Sequence, residues 1–312
     1  MNLRDLQYLV AVADHRHFGR AAQACYVSQP TLSTQIKKLE AYLGVQLVER
    51  TNRQVLLTPI GARIAERARG VLNDVSDLVD LAKASGDAME GDLRLGLIPT
   101  IAPYLLPHLI PALRSRYERL RPLLYEEQTA RLVERLRRGD IDAAVMAVPV
   151  GDESLPYMPV YDEPFMVAVQ HDHPLATKPT IDMSDLTSEH LLLLEEGHCL
   201  RDQALEVCQL AGAHEDAGFR ATSLETLRQM VAAGAGITLI PAMAAEGAAE
   251  AISATGLTYR RFTGTPPSRE VAVYYRRGSA REDTVETLAQ VIRGLDAVKA
   301  LAEAMQPEAE IA

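Results

Sequence analysis

Cys199 sits in the run Glu196-Gly197-His198-Cys199-Leu200-Arg201-Asp202-Gln203, with His198 on one side, Arg201 on the other, and a helical stretch opening behind it. A thiol reacts as its thiolate, and helix N-termini, arginine and protonated histidine all lower its pKa. Leu200 to Leu210 has few helix breakers and carries a second thiol, Cys208, in an apolar stripe with Leu200, Ala204, Leu205 and Val207. This asymmetry suggests one reactive thiol and one sheltered partner. The same spacing suits two buried cysteines acting as small hydrophobes. It does not suit zinc, which wants four convergent ligands and C-x2-4-C pairs. The third cysteine, Cys25, falls in a turn between two helical segments and reads as packing. His171-Asp172-His173 reads as a polar loop rather than a metal site. Gly234-Ala235-Gly236 lacks the rest of a dinucleotide fingerprint, so no cofactor is expected.

The elements that must hold Cys199 alternate. Strands are predicted at 93–97, 123–127, 141–148, 165–169, 191–194, 219–222, 237–240 and 270–275, and helices at 102–118, 131–138, 200–210 and 224–233. A single long helix is expected to close the chain over 281–304, with 306–312 fraying. Strands alternating with helices predict an α/β sheet, whose ligand sites lie at the carboxyl ends of strands. Pro99-Thr100 and Gln128-Thr129 follow the first two strands and so fall on that crevice side.

Upstream the pattern changes. Leu3, Leu6, Leu9, Val10 and Ala13 recur at helical spacing, and a second helix is predicted over 18–24. A third begins near Ser28, a good N-cap, with Pro30 tolerated in its first turn. Leu32, Ile36 and Leu39 share its inner face. Pro30, Thr34, Lys37 and Lys38, flanked by Thr31 and Ser33, form a polar, basic outer face of the kind that lies in a DNA major groove. Residues 46–50, 51–54 and 55–58 read as strand, turn and strand, a wing offering Arg50 and Arg53 to phosphates. From Pro59 to about Glu90 a long helix carries the narrow seam Ile64, Ala68, Val71, Val75, Leu78 and Ala82, which favours dimerisation. Ser85-Gly86-Asp87 and Glu90-Gly91-Asp92 form the hinge into the body.

Charge is divided accordingly. Residues 1–62 carry seven Lys and Arg against four Asp and Glu, a net +3, so the remainder of a chain with net charge −10 holds −13. A mildly basic head on an acidic body fits a DNA-binding module joined to something else. The N-terminus lacks a signal-peptide pattern, and no apolar run nears the ~20 residues of a membrane span. A cytoplasmic protein with no membrane contact is expected. There standing disulfides are rare and paired cysteines tend to be redox-active.

The ordered set AAxxxxVSQPTLSxQIxxLExxLGxxLxxR resembles the winged helix-turn-helix of the LysR family. The runs Leu97-Ile98-Pro99-Thr100, Glu196 to Gln203, and Phe219-Arg220-Ala221-Thr222-Ser223-Leu224-Glu225-Thr226-Leu227 resemble that family's peroxide-sensing members, from Met1 to about Gly278. The resemblance implies an α/β protein. It would comprise a winged helix-turn-helix (1–58), a linker and dimerisation helix (59–90), and a two-lobed, periplasmic-binding-protein-like effector domain (91–312). Lobe I would take 91–162 and 268–312, and lobe II 163–267. It implies a non-enzymatic activator of oxidative-stress genes. Cys199 would be the peroxidatic thiol, forming a reversible disulfide with Cys208 as resolving thiol. Thr100, Thr129, His198, Gln203 and Arg269 would surround Cys199. The implied partners are a double-stranded DNA operator, hydrogen peroxide, a homotetramer built as a dimer of dimers, RNA polymerase and a cellular thiol reductant. One departure is Gly218, where members often carry His. Two other readings stand beside this one: a regulator whose crevice binds a small organic anion, and a thiol peroxidase with an accessory DNA-binding head.

Overall fold

The computed structural model describes residues 1–50, 55–83, 88–187, 189–212, 214–246 and 256–305. The predicted roles of Arg53, of the turn 51–54, of Ser85-Gly86-Asp87 and of the 306–312 tail lie outside them, as do the side chains of Arg50, Ala82, Cys208 and Phe219 and the surroundings of Gly218. The chain forms two compact units, Met1–Ser85 and Gly86–Ala312.

In the first unit α1 (Leu3–His15), α2 (Phe18–Ala24) and α3 (Gln29–Leu43) precede a two-stranded wing, β1 (Val48–Arg50) and β2 (Val55–Leu57), and the long α4 (Pro59–Lys83). Asn2 and Asp5 form a reciprocal capping box on α1, and Ser28 caps α3 by accepting from the Thr31 N–H. Leu9, Val12, Leu32, Ile36, Leu39 and Leu47 make the buried core. Glu40 Oε1 accepts from the N–H groups of Leu47 and Val48 at 2.8 and 3.1 Å, tying α3 to the wing. α4 can start against the wing only because residue 61 is glycine, since a Cβ there would lie 2.0 Å from the Leu47 carbonyl oxygen. The seam of α4 divides in two. Ala68 is buried and Ile64 and Val75 are half-buried, next to the buried Ala65 and to Arg69, which pairs with Asp14 of α1, whereas Val71 and Leu78 are exposed, as is the neighbouring Val79.

The second unit is α/β. Its elements run β3 (Gly91–Leu97), α5 (Ala102–Arg116), β4 (Leu120–Glu126), α6 (Thr129–Arg138), β5 (Ala143–Ala147) and β6 (Tyr157–Gln170). They continue with β7 (Thr180–Ile181), β8 (His190–Leu194), α7 (Cys199–Ala211), β9 (His214–Ala221), α8 (Leu224–Ala232), β10 (Thr238–Pro241) and α9 (Ala242–Glu246). The last are β11 (Leu257–Phe262), β12 (Ser268–Tyr275), α10 (Glu282–Arg293) and α11 (Asp296–Ala304). The strands order as β4-β3-β5-β12-β6-β11-β7, with β10 also on β6, while β8 and β9 pair in parallel apart from them. β3, β4 and β5 are parallel neighbours. Two buried clusters stand for two lobes, one around β3, β5, β12, α5 and α10, the other around Val167–Val169, Leu191–Leu194, α7 and α8.

Two expectations are corrected, and one strand was not foreseen. The strand expected at 165–169 is the second half of the 14-residue β6. Its first half pairs with β12 from Tyr157 to Pro164, and its second half pairs with β10 and β11, so one strand carries the chain between lobes. The closing helix is broken after Gly294. Glycine is a poor helix former, and restarting at Asp296 lets Leu295, Val298 and Leu301 all be buried. β11, unrecognised in the sequence, fills the sheet beside β6.

Candidate functional site

Cys199 is the first residue of α7, and β8 aims it. The run Leu191–Leu194 is wholly buried, and β8 pairs with β9 through Leu193 and Arg220, then Leu194 and Ala221. The chain then turns. The Glu195 N–H donates to the Ala221 carbonyl at 2.9 Å, and Arg201 Nη1 donates to the Leu194 carbonyl at 3.1 Å. Gly197 sits at φ +95°, and a Cβ there would come 2.9 Å from Gln128 Oε1. Lobe II's turn is therefore pressed directly onto the start of α6 in lobe I. Leu200, Ala204 and Val207 belong to the lobe II core, while Cys199 packs against the core of lobe I. The sulfur lies on the seam between lobes.

From lobe I, Arg269 reaches the seam on β12. Its guanidinium is wholly buried, and each of its three nitrogens donates. Nε and Nη2 donate to Glu163 Oε2 at 2.9 and 2.6 Å, Nη1 donates to Thr100 Oγ1 at 2.9 Å, and Nη2 donates to the Thr100 carbonyl at 3.0 Å. Thr100 follows β3 and Thr129 opens α6, both at carboxyl ends of neighbouring parallel strands, as expected. Thr100 does not cap α5, whose N-cap is Ile101 without a side-chain bond. Thr129 Oγ1 and Gln203 Oε1 are both buried without a hydrogen-bond partner. Gln203 lies one turn beyond Cys199 on the same helix face.

Burial pushes the Cys199 thiol above its ordinary value. Opposing that are the Arg269 charge, the Thr129 hydroxyl and the N–H groups of residues 199 and 200 at the helix start. Of the expected help the helix start is present, and Arg269 joins it. Arg201, next but one in sequence, is buried under Leu194. His198 is buried too, and its imidazole donates to the Thr222 carbonyl. Burial holds its pKa below the ordinary range. The cation that acts on the sulfur comes from 70 residues away in sequence, because the sheet brings β12 to the crevice. Cys208 stands on α7, nine residues beyond Cys199. Cys25 is half-buried at the end of α2 against the head's core, as its packing role predicted. Among the described residues no group of His, Cys, Asp and Glu could hold a metal ion, and no helix is long and apolar enough to cross a membrane.

The head presents a second surface. On α3 Leu32, Ile36 and Leu39 face inward, and Pro30, Thr31, Thr34, Lys37 and Lys38 are exposed, with Ser33 half-buried beside them. The predicted inner and outer faces are both observed.

Residues 3–62 match the bacterial regulatory helix-turn-helix protein, lysR family, and residues 86–296 match the LysR substrate binding domain. The chain is 49% identical over 293 residues to the DNA-binding transcriptional dual regulator OxyR of Escherichia coli K12, covering 94% of this chain and 95% of that protein. The C199D variant of full-length OxyR from Pseudomonas aeruginosa superposes with a TM-score of 0.76 at 39% identity, over 96% of this chain and 99% of that one. Crystal structures of the reduced and oxidised forms of OxyR are 43% and 46% identical. Both superpose with a TM-score of 0.61 over 67% of this chain and 97% of theirs.

Proposed function

The chain belongs to the LysR family of bacterial regulators, and from that membership and the site we propose that it is a hydrogen-peroxide-sensing transcriptional activator switched by oxidation of Cys199. The observation that carries this reading is the seat of the thiol. It stands at a helix N-terminus on the seam between lobes, facing a buried arginine and the Thr129 hydroxyl.

In the mechanism, the Cys199 thiolate attacks one peroxide oxygen. The O–O bond breaks, the sulfur gains that oxygen as a sulfenic acid, and the other oxygen leaves as hydroxide and takes up a proton as water. Arg269 stabilises the thiolate, and the hydroxyls of Thr100 and Thr129 with the Gln203 amide supply donors and acceptors of a size suited to peroxide. His198, bonded to Thr222, holds the turn. Cys208 then attacks the sulfenic sulfur, giving a Cys199–Cys208 disulfide and a second water. A cellular thiol reductant returns both thiols.

DNA is bound through α3, with Thr31, Ser33, Thr34 and Pro30 toward base edges and Lys37, Lys38, Arg50 and Arg53 toward phosphates. The exposed Val71, Leu78 and Val79 of α4 support pairing of two chains, and two such pairs make a tetramer spanning adjacent half-sites. RNA polymerase is the partner through which activation acts.

The test is a thiol titration before and after one equivalent of peroxide, with footprinting of both states. Loss of two thiols and a changed footprint is expected. No loss would turn the reading toward an organic effector, and many turnovers with a simple reductant would turn it toward a peroxidase.

A further inference from the structure

Glu163 was not among the residues that the sequence offered for the site, yet its carboxylate lies 2.6 Å from Arg269 in the seam. Its carboxylate and the Arg269 guanidinium are both almost wholly removed from solvent, at 2% and 0% exposure. The two residues face each other across β6 and β12 at the point where β6 passes between the lobes. Both carboxylate oxygens are used. Oε2 takes two N–H bonds from Arg269, and Oε1 accepts from the Met243 N–H at 3.1 Å, at the start of α9.

We infer that Glu163 is a positioning residue for Cys199: it holds Arg269 on Thr100 and cancels part of the charge that Arg269 presents to the sulfur. This rests on the reading of Cys199 as the reacting thiol. The physical argument is one of fields. An isolated guanidinium in a dry seam acts on a thiolate as a full charge, whereas a guanidinium bonded to a carboxylate acts as a pair, whose field falls off faster. Among the described residues the other groups that face this arrangement are few. Tyr161, beside Glu163 on β6, is half-buried and pushed well above the ordinary tyrosine range, so it stays neutral. Tyr274 of β12 also faces Cys199 and is likewise raised by burial. Thr129 of α6 offers a hydroxyl, and His198 turns to Thr222 and Glu195. The charge on Arg269 is therefore balanced by Glu163 before the thiolate forms and shared with the thiolate afterwards. Arginine stays protonated in either case.

The experiment uses the full-length chain. The rate of Cys199 alkylation by iodoacetamide is followed against pH by peptide mass spectrometry in the parent, Glu163→Gln and Glu163→Asp. Peroxide oxidation of the same peptide is measured in parallel. Glu163→Gln removes the charge and keeps the shape, so the alkylation midpoint should fall by about one pH unit, with several-fold faster alkylation at pH 7. Glu163→Asp draws the carboxylate back from Arg269, so its midpoint should fall by a smaller step in the same direction. A role confined to stability would lower the melting temperatures without ordering the midpoints. A midpoint at or above the parent's in either variant that keeps the parent's circular dichroism overturns the inference. Failure of peroxide to oxidise Cys199 in the parent would instead overturn the peroxide reading and leave the alkylation result standing.

Discussion

Arg269 donates to Thr100 twice, from Nη1 to the hydroxyl at 2.9 Å and from Nη2 to the carbonyl at 3.0 Å, so the end of β3 is stapled to the start of β12. Thr100→Val keeps the shape and the carbonyl bond but leaves one buried, charged N–H without an acceptor. Losing such a bond costs about 1.5–3 kcal/mol. Urea denaturation should register that loss for Thr100→Val, and Thr100→Ser should recover most of it. Oxidation of Cys199 should slow in the valine variant, because Arg269 is no longer fixed. Equal stability of the valine and serine variants would contradict the account.

Much of this was written locally in the chain. The inner and outer faces of α3 follow from 3.6-residue periodicity, and the position of Thr100 and Thr129 follows from strands alternating with helices. What was illegible is what topology decides. His198 and Arg201 flank Cys199 in sequence, yet the charge named on its sulfur is that of Arg269. The turn buries His198 against Thr222 and sends Arg201 to Leu194, while Arg269 arrives on a strand from the other lobe. Glu163 lies 106 residues before its partner, in a stretch whose strand character was hidden by Pro159 and Pro164. Proline weakens a strand signal, and β6 accommodates both.

Gly197 gives a prediction about the turn. At φ +95° an L side chain is strained, and its Cβ would press on Gln128. Such strain costs roughly 1–3 kcal/mol. Gly197→Ala should therefore loosen the turn from lobe I, raise hydrogen exchange at residues 198–201 and slow Cys199 oxidation. Gln128→Ala in the same chain relieves the clash but not the backbone strain, so it should restore only part of the rate. Full restoration would mean that the backbone conformation is not limiting.

Two pH dependences follow from burial. Cys199 is pushed above the ordinary thiol value of about 8.5. Its reaction with peroxide, followed by stopped flow, should keep accelerating with pH beyond that value instead of levelling near it. His198 runs the other way. Its folded pKa lies below the ordinary value of about 6.5. The folded state thus binds fewer protons than the unfolded one in that window, and stability falls as pH falls below about 6.5. Denaturation at pH 7, 6 and 5 should show this loss, and His198→Asn should diminish it. An unchanged slope would place the acid sensitivity elsewhere.

On α3, Lys37→Ala and Lys38→Ala should weaken binding to all DNA sequences and flatten the salt dependence, by about 0.9 in slope for each phosphate that is no longer neutralised. Thr34→Val should instead shift sequence preference, because Thr34 is exposed on the outer face over the inward Leu32, Ile36 and Leu39. Binding-site selection with the parent and the valine variant checks this, and an unaltered preference would move the base contacts to other residues.

The last prediction concerns α7. The helix is continuous from Cys199 to Ala211, so its two cysteines are separated by about 13 Å along the axis at 1.5 Å per residue. A disulfide needs Cα atoms within about 7 Å. The bond cannot close across the intact helix, and oxidation must unwind the segment between the two cysteines. Unwinding withdraws Leu200, Ala204 and Val207, all buried in the lobe II core, at a cost of several kcal/mol on a scale of about 1.5–3 kcal/mol per large aliphatic side chain. The disulfide has to offset that cost, which leaves a bond more easily reduced than a structural one, as a resettable switch requires. It also pulls Cys199 off the core of lobe I, so the seam held by Gly197, Gln128 and Arg269 must rearrange. Hydrogen exchange over 200–210 measures this directly. Protection should be high in the reduced chain and fall after a peroxide pulse, and it should stay high when Cys208→Ser blocks the second step. Equal protection before and after oxidation in the parent would sink the mechanism even if both thiols had been lost.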